Sequence, residues 1–173
     1  MLSPMPFFAC LSLALSTIFI TCSAQATPAT PFAIEKFFAG HTRSSGVFNN
    51  TVGKPQQHFT TDCHGKMHGR TLWLDQHFRY EDGHTQDRHW QIRRIDDRHC
   101  LGRANDVVGA ARGEVIGATF RFSYIVALKP PSFHVRLDQT MTLLRDGSVE
   151  NRATIRKLGF PLSRVRERFQ RVD

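Results

Sequence analysis

Residues 80–90 read YEDGHTQDRHW, two Asp, one Glu, two His and an Arg around a single glycine. Carboxylates beside imidazoles suit general acid–base chemistry when a cavity holds them and perturbs their pKa values. A second cluster, Cys63-His64-Gly65-Lys66-Met67-His68, carries the thiol, thioether and imidazole donors that copper(I) accepts. In a third, Asp106-Val107-Val108-Gly109-Ala110-Ala111-Arg112-Gly113, one carboxylate heads a run of small residues. Ser123, Ser132 and Ser163 lack the Gly-x-Ser-x-Gly elbow that activates a serine nucleophile.

The elements that must position these residues are strands. Leu72, Leu74, Phe78 and Tyr80 alternate with Thr71, Asp75, His77 and Arg79, with Trp73 the exception. Phe120, Phe122, Tyr124, Val126 and Leu128 share one face of the next clear segment, and Phe133, Val135, Leu137, Met141 and Leu143 one face of another. Alternation of this length marks half-buried strands. Turn signals separate them at Asp82-Gly83, Asp96-Asp97, Pro130-Pro131 and Asp146-Gly147. Eight to ten antiparallel strands in one domain must close or split to remove their edges, and the short regular spacing favours an up-and-down barrel. Ile34 to Phe38 has the spacing of a short helix that plugs one end, whereas Leu162 to Val172 fits a helix or a strand.

Within that frame the opening stretch is a hairpin. Asp82-Gly83 turns the chain, and Glu81, Asp87 and both His lie at the turn or on the wet face, near Arg79, Arg88 and Arg93. A hairpin tip supplies neither cavity nor perturbed pKa, so no catalytic residue is assigned there. The copper reading weakens because Gly65 and Gly69 suggest a turn, and an oxidised Cys63 is no ligand; no metal or cofactor is assigned. Glycines 109, 113 and 117 fit bends and bulges at barrel corners, or a thin wall beside a ligand. Asp106 is read first as a buried partner for Arg88 or Arg152 and second as a ligand contact.

Some residues are not required by alternation. They include Phe37-Phe38-x-Gly40, Gly46-Val47-Phe48, Tyr80-x-Asp82-Gly83, Arg88-x-Trp90 and the Asp106–Gly113 block. Gly117-Ala118, Asp138-x-x-Met141, Asn151-Arg152-Ala153 and Lys157-x-Gly159 complete the set. In order and spacing they resemble the bacterial family of domain of unknown function 3833, exported proteins and lipoproteins, from about Phe37 to Phe169. The resemblance implies a lipocalin-like β-barrel and no established activity. The chain departs from the family's habit at Gln139, where an aromatic often follows the aspartate, and at Phe19-Ile20-Thr21-Cys22, a poor lipobox.

The first 26 residues carry no charged side chain, and Phe7 to Cys22 is an almost unbroken apolar run. That length suits the core of a signal peptide better than a membrane span, and Ala24-Gln25-Ala26 fits a cleavage site. The expected organisation is a signal peptide over 1–26 and a single barrel domain over 27–173, in the periplasm. An uncleaved anchor, or lipidation at Cys22, is the lesser alternative. All 23 Lys and Arg and all 15 Asp and Glu follow the leader, so the net charge of +8 belongs to the domain. Such a charge favours anionic envelope surfaces, and no nucleic-acid motif accompanies it. Cys63 and Cys100 remain after cleavage, and an even pair in an oxidising compartment suggests a disulfide closing a loop of 38 residues. Two unrelated thiols are the alternative.

These observations point to an exported, non-catalytic barrel that binds a small amphiphile or lipid. Arg88, Trp90, Asp106, Tyr124, Asp138, Arg152 and Lys157 are the candidate ligand-binding residues. The first alternative is a filled barrel acting at the envelope through its basic surface, which the chain's 14 Phe favour. The second is an enzyme using Asp106. Interior volume separates the first two.

Overall fold

The structure, a computed structural model, describes residues 31–50, 56–128 and 133–172, and the leader read in residues 1–26 lies outside them. One helix, α1 (Ile34–Phe38), precedes ten strands: β1 (Gly40–Asn50), β2 (Gln57–His68), β3 (Thr71–Tyr80), β4 (Thr85–Arg94) and β5 (His99–Ala104) come first. They are followed by β6 (Val107–Ile116), β7 (Thr119–Leu128), β8 (Phe133–Leu143), β9 (Val149–Lys157) and β10 (Phe160–Arg171). Each strand pairs antiparallel with its sequence neighbours, and β1 pairs with β10 from Thr42↔Arg171 to Asn50↔Ser163, closing an up-and-down barrel without edges.

Alternation decides which side chains enter. On β4, Trp90 and Ile92 are buried between exposed His89, Gln91 and Arg93. The C-terminal segment that fits two periods is strand β10, because Ser163, Val165, Glu167 and Phe169 are buried while Arg164, Arg166 and Arg168 are exposed. Trp73, the exception on β3, stands outside the barrel. Where neighbouring rings need room, the strands carry glycine. A Cβ on Gly113 would lie 2.5 Å from the Phe120 ring and one on Gly102 2.6 Å from Phe122. Gly109, at φ 75°, sits where the β6–β7 register shifts between Val108 and Arg112, so the small-residue block bulges there in open space, while Ala111 and Gly113 at its other end are tightly packed.

α1 closes one end, as its spacing predicts. Its Ile34, Phe37 and Phe38 are buried, and the Phe38 ring meets Phe169 edge-on at 5.2 Å. The helix is tied to strand ends around the barrel. Phe32 N donates to the Gly117 carbonyl at 2.8 Å, Arg94 pairs with Glu35 at 2.5 Å, and Arg171 Nη1 donates to the Lys36 carbonyl at 2.8 Å. Phe32, Phe120, Leu72 and Val149 fill the interior beside it.

Two expectations are corrected. Cys63 and Cys100 are buried free thiols, not a disulfide. They belong to β2 and β5, three strands apart around the sheet. In register Cys63 faces Gln76 on β3, while Cys100 faces Arg94 near the far end of β4. At about 4.8 Å per strand that separation exceeds the reach of a disulfide. Cys63 to His68 is not a turn either but the end of β2, with the turn at Gly69.

Candidate ligand cavity

Away from α1 the barrel is hollow. A cavity of about 280 Å³ runs from Ile34 and Phe38 toward the opposite rim, where Phe48, Tyr80, Leu128 and Ile155 line it. Ten strands enclose a wider interior than eight, which leaves this space despite the many rings. The volume is close to the lower end of the range for small-molecule sites, about 300 Å³. Its walls are mainly aromatic and aliphatic, and their polar groups fall into two sets on opposite sides.

The first set lies on β3, β4, β7 and β8. Arg88 is third from the end of the polar hairpin stretch, and it shares the inward parity of Trp90 and Ile92 and enters the barrel. Asp87 and the hairpin histidines stay at the turn or on the wet face, with His77 against Asp87 at 2.6 Å and His84 against Asp82. Arg88 Nε donates to both oxygens of Asp106 at 2.9 and 3.0 Å, and Nη2 donates to Oδ2 at 2.6 Å. The two side chains are only 12% and 14% exposed. Gln86 Nε2 also donates to Asp106, at 3.2 Å. The guanidinium lies within 6 Å of the Phe78, Trp90 and Tyr124 ring centroids, at 5.7, 5.9 and 5.8 Å. Tyr124 hydroxyl accepts from Arg88 Nη1 at 3.4 Å and donates to Gln139 at 3.2 Å, and burial pushes its phenol pKa up. Trp90 Nε1 donates to Gln76 Oε1 at 3.1 Å.

The second set is built around Glu167 of β10, four strands from β4 around the barrel. Ser44 Oγ and Thr61 Oγ1 donate to its Oε1 at 2.6 and 3.0 Å, and Asn151 Nδ2 donates to Oε2 at 2.9 Å. Burial nevertheless pushes this carboxyl above the usual carboxylate range. Glu167 shares the inward parity of Val165 and Phe169 and is not among the candidate residues named above. The signal was there, since a carboxylate at an inward parity position is costly unless it is partnered or used.

Of the candidate residues, Arg88, Trp90 and Tyr124 line the cavity, and Asp106 stands behind Arg88 as the ion pair read first for it. The others are elsewhere. Asp138 is on the outer face, accepting from Ser123 at 2.6 Å and from Arg136 at 2.8 Å. Arg152 is 63% exposed and pairs with Glu150 at 3.0 Å. Lys157 Nζ stands 3.3 Å from the centroid of the Phe133 ring, near the rim opposite α1.

β2 divides the copper-type cluster between two faces, with Cys63 buried and His64 exposed. Burial pushes both cysteine thiols up to about 12. On the outer face His64 instead joins His41 and Asp62, with potential ligand atoms within 4.8 Å of one another. Asp62 there accepts from Arg43 at 3.0 Å and contacts His41 at 2.6 Å, so the trio is already an ion-paired surface network.

The comparison with solved structures supports the barrel through one of its matches. Among solved structures, the S-type phycobiliprotein lyase CPES from Guillardia theta matches with a TM-score of 0.62 at 7% identity, covering 81% of this chain and 91% of that one. A redesigned β-barrel, mFAP1, bound to DFHBI gives a TM-score of 0.42 at 11% identity, over 79% of this chain and 97% of the other. At such identities the lyase likeness concerns the fold alone. A search of curated proteins returns no match. The family described as protein of unknown function (DUF3833) matches residues 11–171, nearly the whole sequence, and the chain belongs to that family.

Proposed function

We propose that this protein is a non-catalytic binding protein that holds one small, mostly apolar molecule inside its barrel. The observation that carries the reading is the cavity of about 280 Å³, walled by rings and aliphatic side chains with polar groups on two sides. A few convergent polar groups in an apolar pocket are the usual make-up of a small-molecule site. The hollow half of the barrel favours a carrier over a filled scaffold. Asp106, the acid on which an enzymatic reading would rest, has both oxygens engaged by Arg88 and Gln86. The fold shared with a phycobiliprotein lyase is compatible with small-molecule binding. With the apolar leader read in residues 1–26, the place of binding is the periplasm.

Native mass spectrometry on protein purified without detergent tests this. A stoichiometric adduct of one small molecule is the expected result. A bare protein that also takes up no apolar probe would contradict it.

A further inference from the structure

The two polar walls of the cavity differ in what they leave unmet. Opposite Glu167, the positive charge of Arg88 is already balanced by Asp106, so among the described residues lining the cavity no cation is left unpaired for an anionic ligand. On the Glu167 wall the balance is reversed. Glu167 accepts from Ser44, Thr61 and Asn151, all uncharged, and no cation contacts it among the described residues. Because Asn151 directs Nδ2 at an acceptor, its Oδ1 must face elsewhere. That Oδ1 is fully buried on a cavity-lining residue and has no hydrogen-bond partner among the described residues. With no accessible surface that oxygen is out of reach of the cavity, so the unmet group a ligand can answer is the Glu167 carboxylate.

We infer that the molecule held in the cavity is an apolar amine, whose ammonium group donates to Glu167. The inference rests on the cavity being a ligand site. An ammonium supplies the counter-charge that the carboxylate lacks among the described residues. A fatty acid would set a second carboxylate near Glu167, with no unpaired cation among the described lining residues to meet it. A pure hydrocarbon would leave the buried carboxylate without a counter-charge.

The test is displacement of the uncharged fluorescent probe N-phenyl-1-naphthylamine by octylamine, octanol and octanoate, three ligands matched in chain length. Octylamine should bind at least about tenfold more tightly than octanol at neutral pH, as a charge-assisted hydrogen bond implies. Octanoate should be the weakest. Glu167→Gln should bring octylamine to within about twofold of octanol.

A pH series on the unaltered protein gives a second reading that needs no variant. The titratable and charged groups facing Glu167 are Cys63 of β2, Tyr80 of β3, Arg88 of β4 with its partner Asp106, and Tyr124 of β7. Ammonium binding favours ionised Glu167, so octylamine affinity should rise with pH through that carboxyl's titration while octanol affinity stays level. Octanoate binding as tightly as octylamine, or a flat octylamine profile, would overturn the inference and leave the cavity reading intact. A probe that does not bind at all would overturn both.

Discussion

Arg88 holds Asp106 inside the barrel, with Nε and Nη2 both on the carboxylate and three aromatic rings around the guanidinium. The pair brings one positive and one negative group into a largely apolar interior together. Removing one partner leaves the other buried and unbalanced, which costs more than removing both. Asp106→Asn should therefore destabilise the fold by about 3 kcal/mol. Arg88→Met in the same chain should recover more than half of that loss. Urea denaturation of the two single variants and the double variant checks this, and additive effects would show that the pair is not coupled.

Glu167 gives stability a particular pH dependence. Its carboxyl is raised above its ordinary value of 4.5, chiefly by burial. A carboxyl raised in the folded state binds its proton more tightly there than in the unfolded chain. The resulting stability is fully present below the unfolded value and is lost as pH rises through the folded one. Glu167→Gln should thus gain stability relative to the parent as pH increases from 4 to 8, with the two closest at the acid end. Paired urea titrations at both pH values measure the difference. A gap that narrows with rising pH would contradict the assignment.

Gly65 governs the seat of α1. A Cβ there would lie 1.8 Å from the Phe38 carbonyl oxygen, a backbone atom that cannot swing aside. Gly69, four residues later in the β2–β3 turn, has φ +59° but open space around it. Gly65→Ala should cost about 2–3 kcal/mol by pushing the helix off its end. Gly69→Ala should cost only about 1 kcal/mol, from backbone strain. Thermal unfolding ranks the two, and the reverse order would mean that α1 is loosely seated.

The cysteines supply a chemical check on the register. Both thiols are buried and pushed up to about 12, so neither is a thiolate near neutral pH. Iodoacetamide should modify neither in the native protein and both after unfolding. A reductant should leave the melting temperature unchanged. An intact mass two hydrogens light, with a melting temperature that falls on reduction, would show that a bond does form.

How far the sequence carries can be followed through single residues. The parity of Val135, Leu137 and Met141 already places Asp138 on the outer face of β8, as that of Val149 and Ala153 places Arg152 outside on β9. Trp90 and Ile92 likewise carry Arg88 inward. Alternation thus sorts faces even where a motif argues otherwise. It does not reveal partners. Glu167 is visibly inward between Val165 and Phe169, but Ser44 and Thr61 reach it from 123 and 106 residues away. That meeting exists only because β10 closes onto β1. The cysteine pairing failed for the same reason, since spacing along the chain carries no information about register across three strands.

The central claim is that a small molecule enters the barrel and lies between Arg88 and Glu167. Trp90 lines that space and Trp73 stands outside, so Trp73→Phe leaves a single tryptophan to report on the interior. The account predicts a saturable one-to-one quenching of Trp90 emission by N-phenyl-1-naphthylamine. Ala153→Phe, which places a ring in the cavity, should abolish the quenching while the barrel stays folded. Unquenched Trp90 emission, or quenching that survives Ala153→Phe, would contradict it.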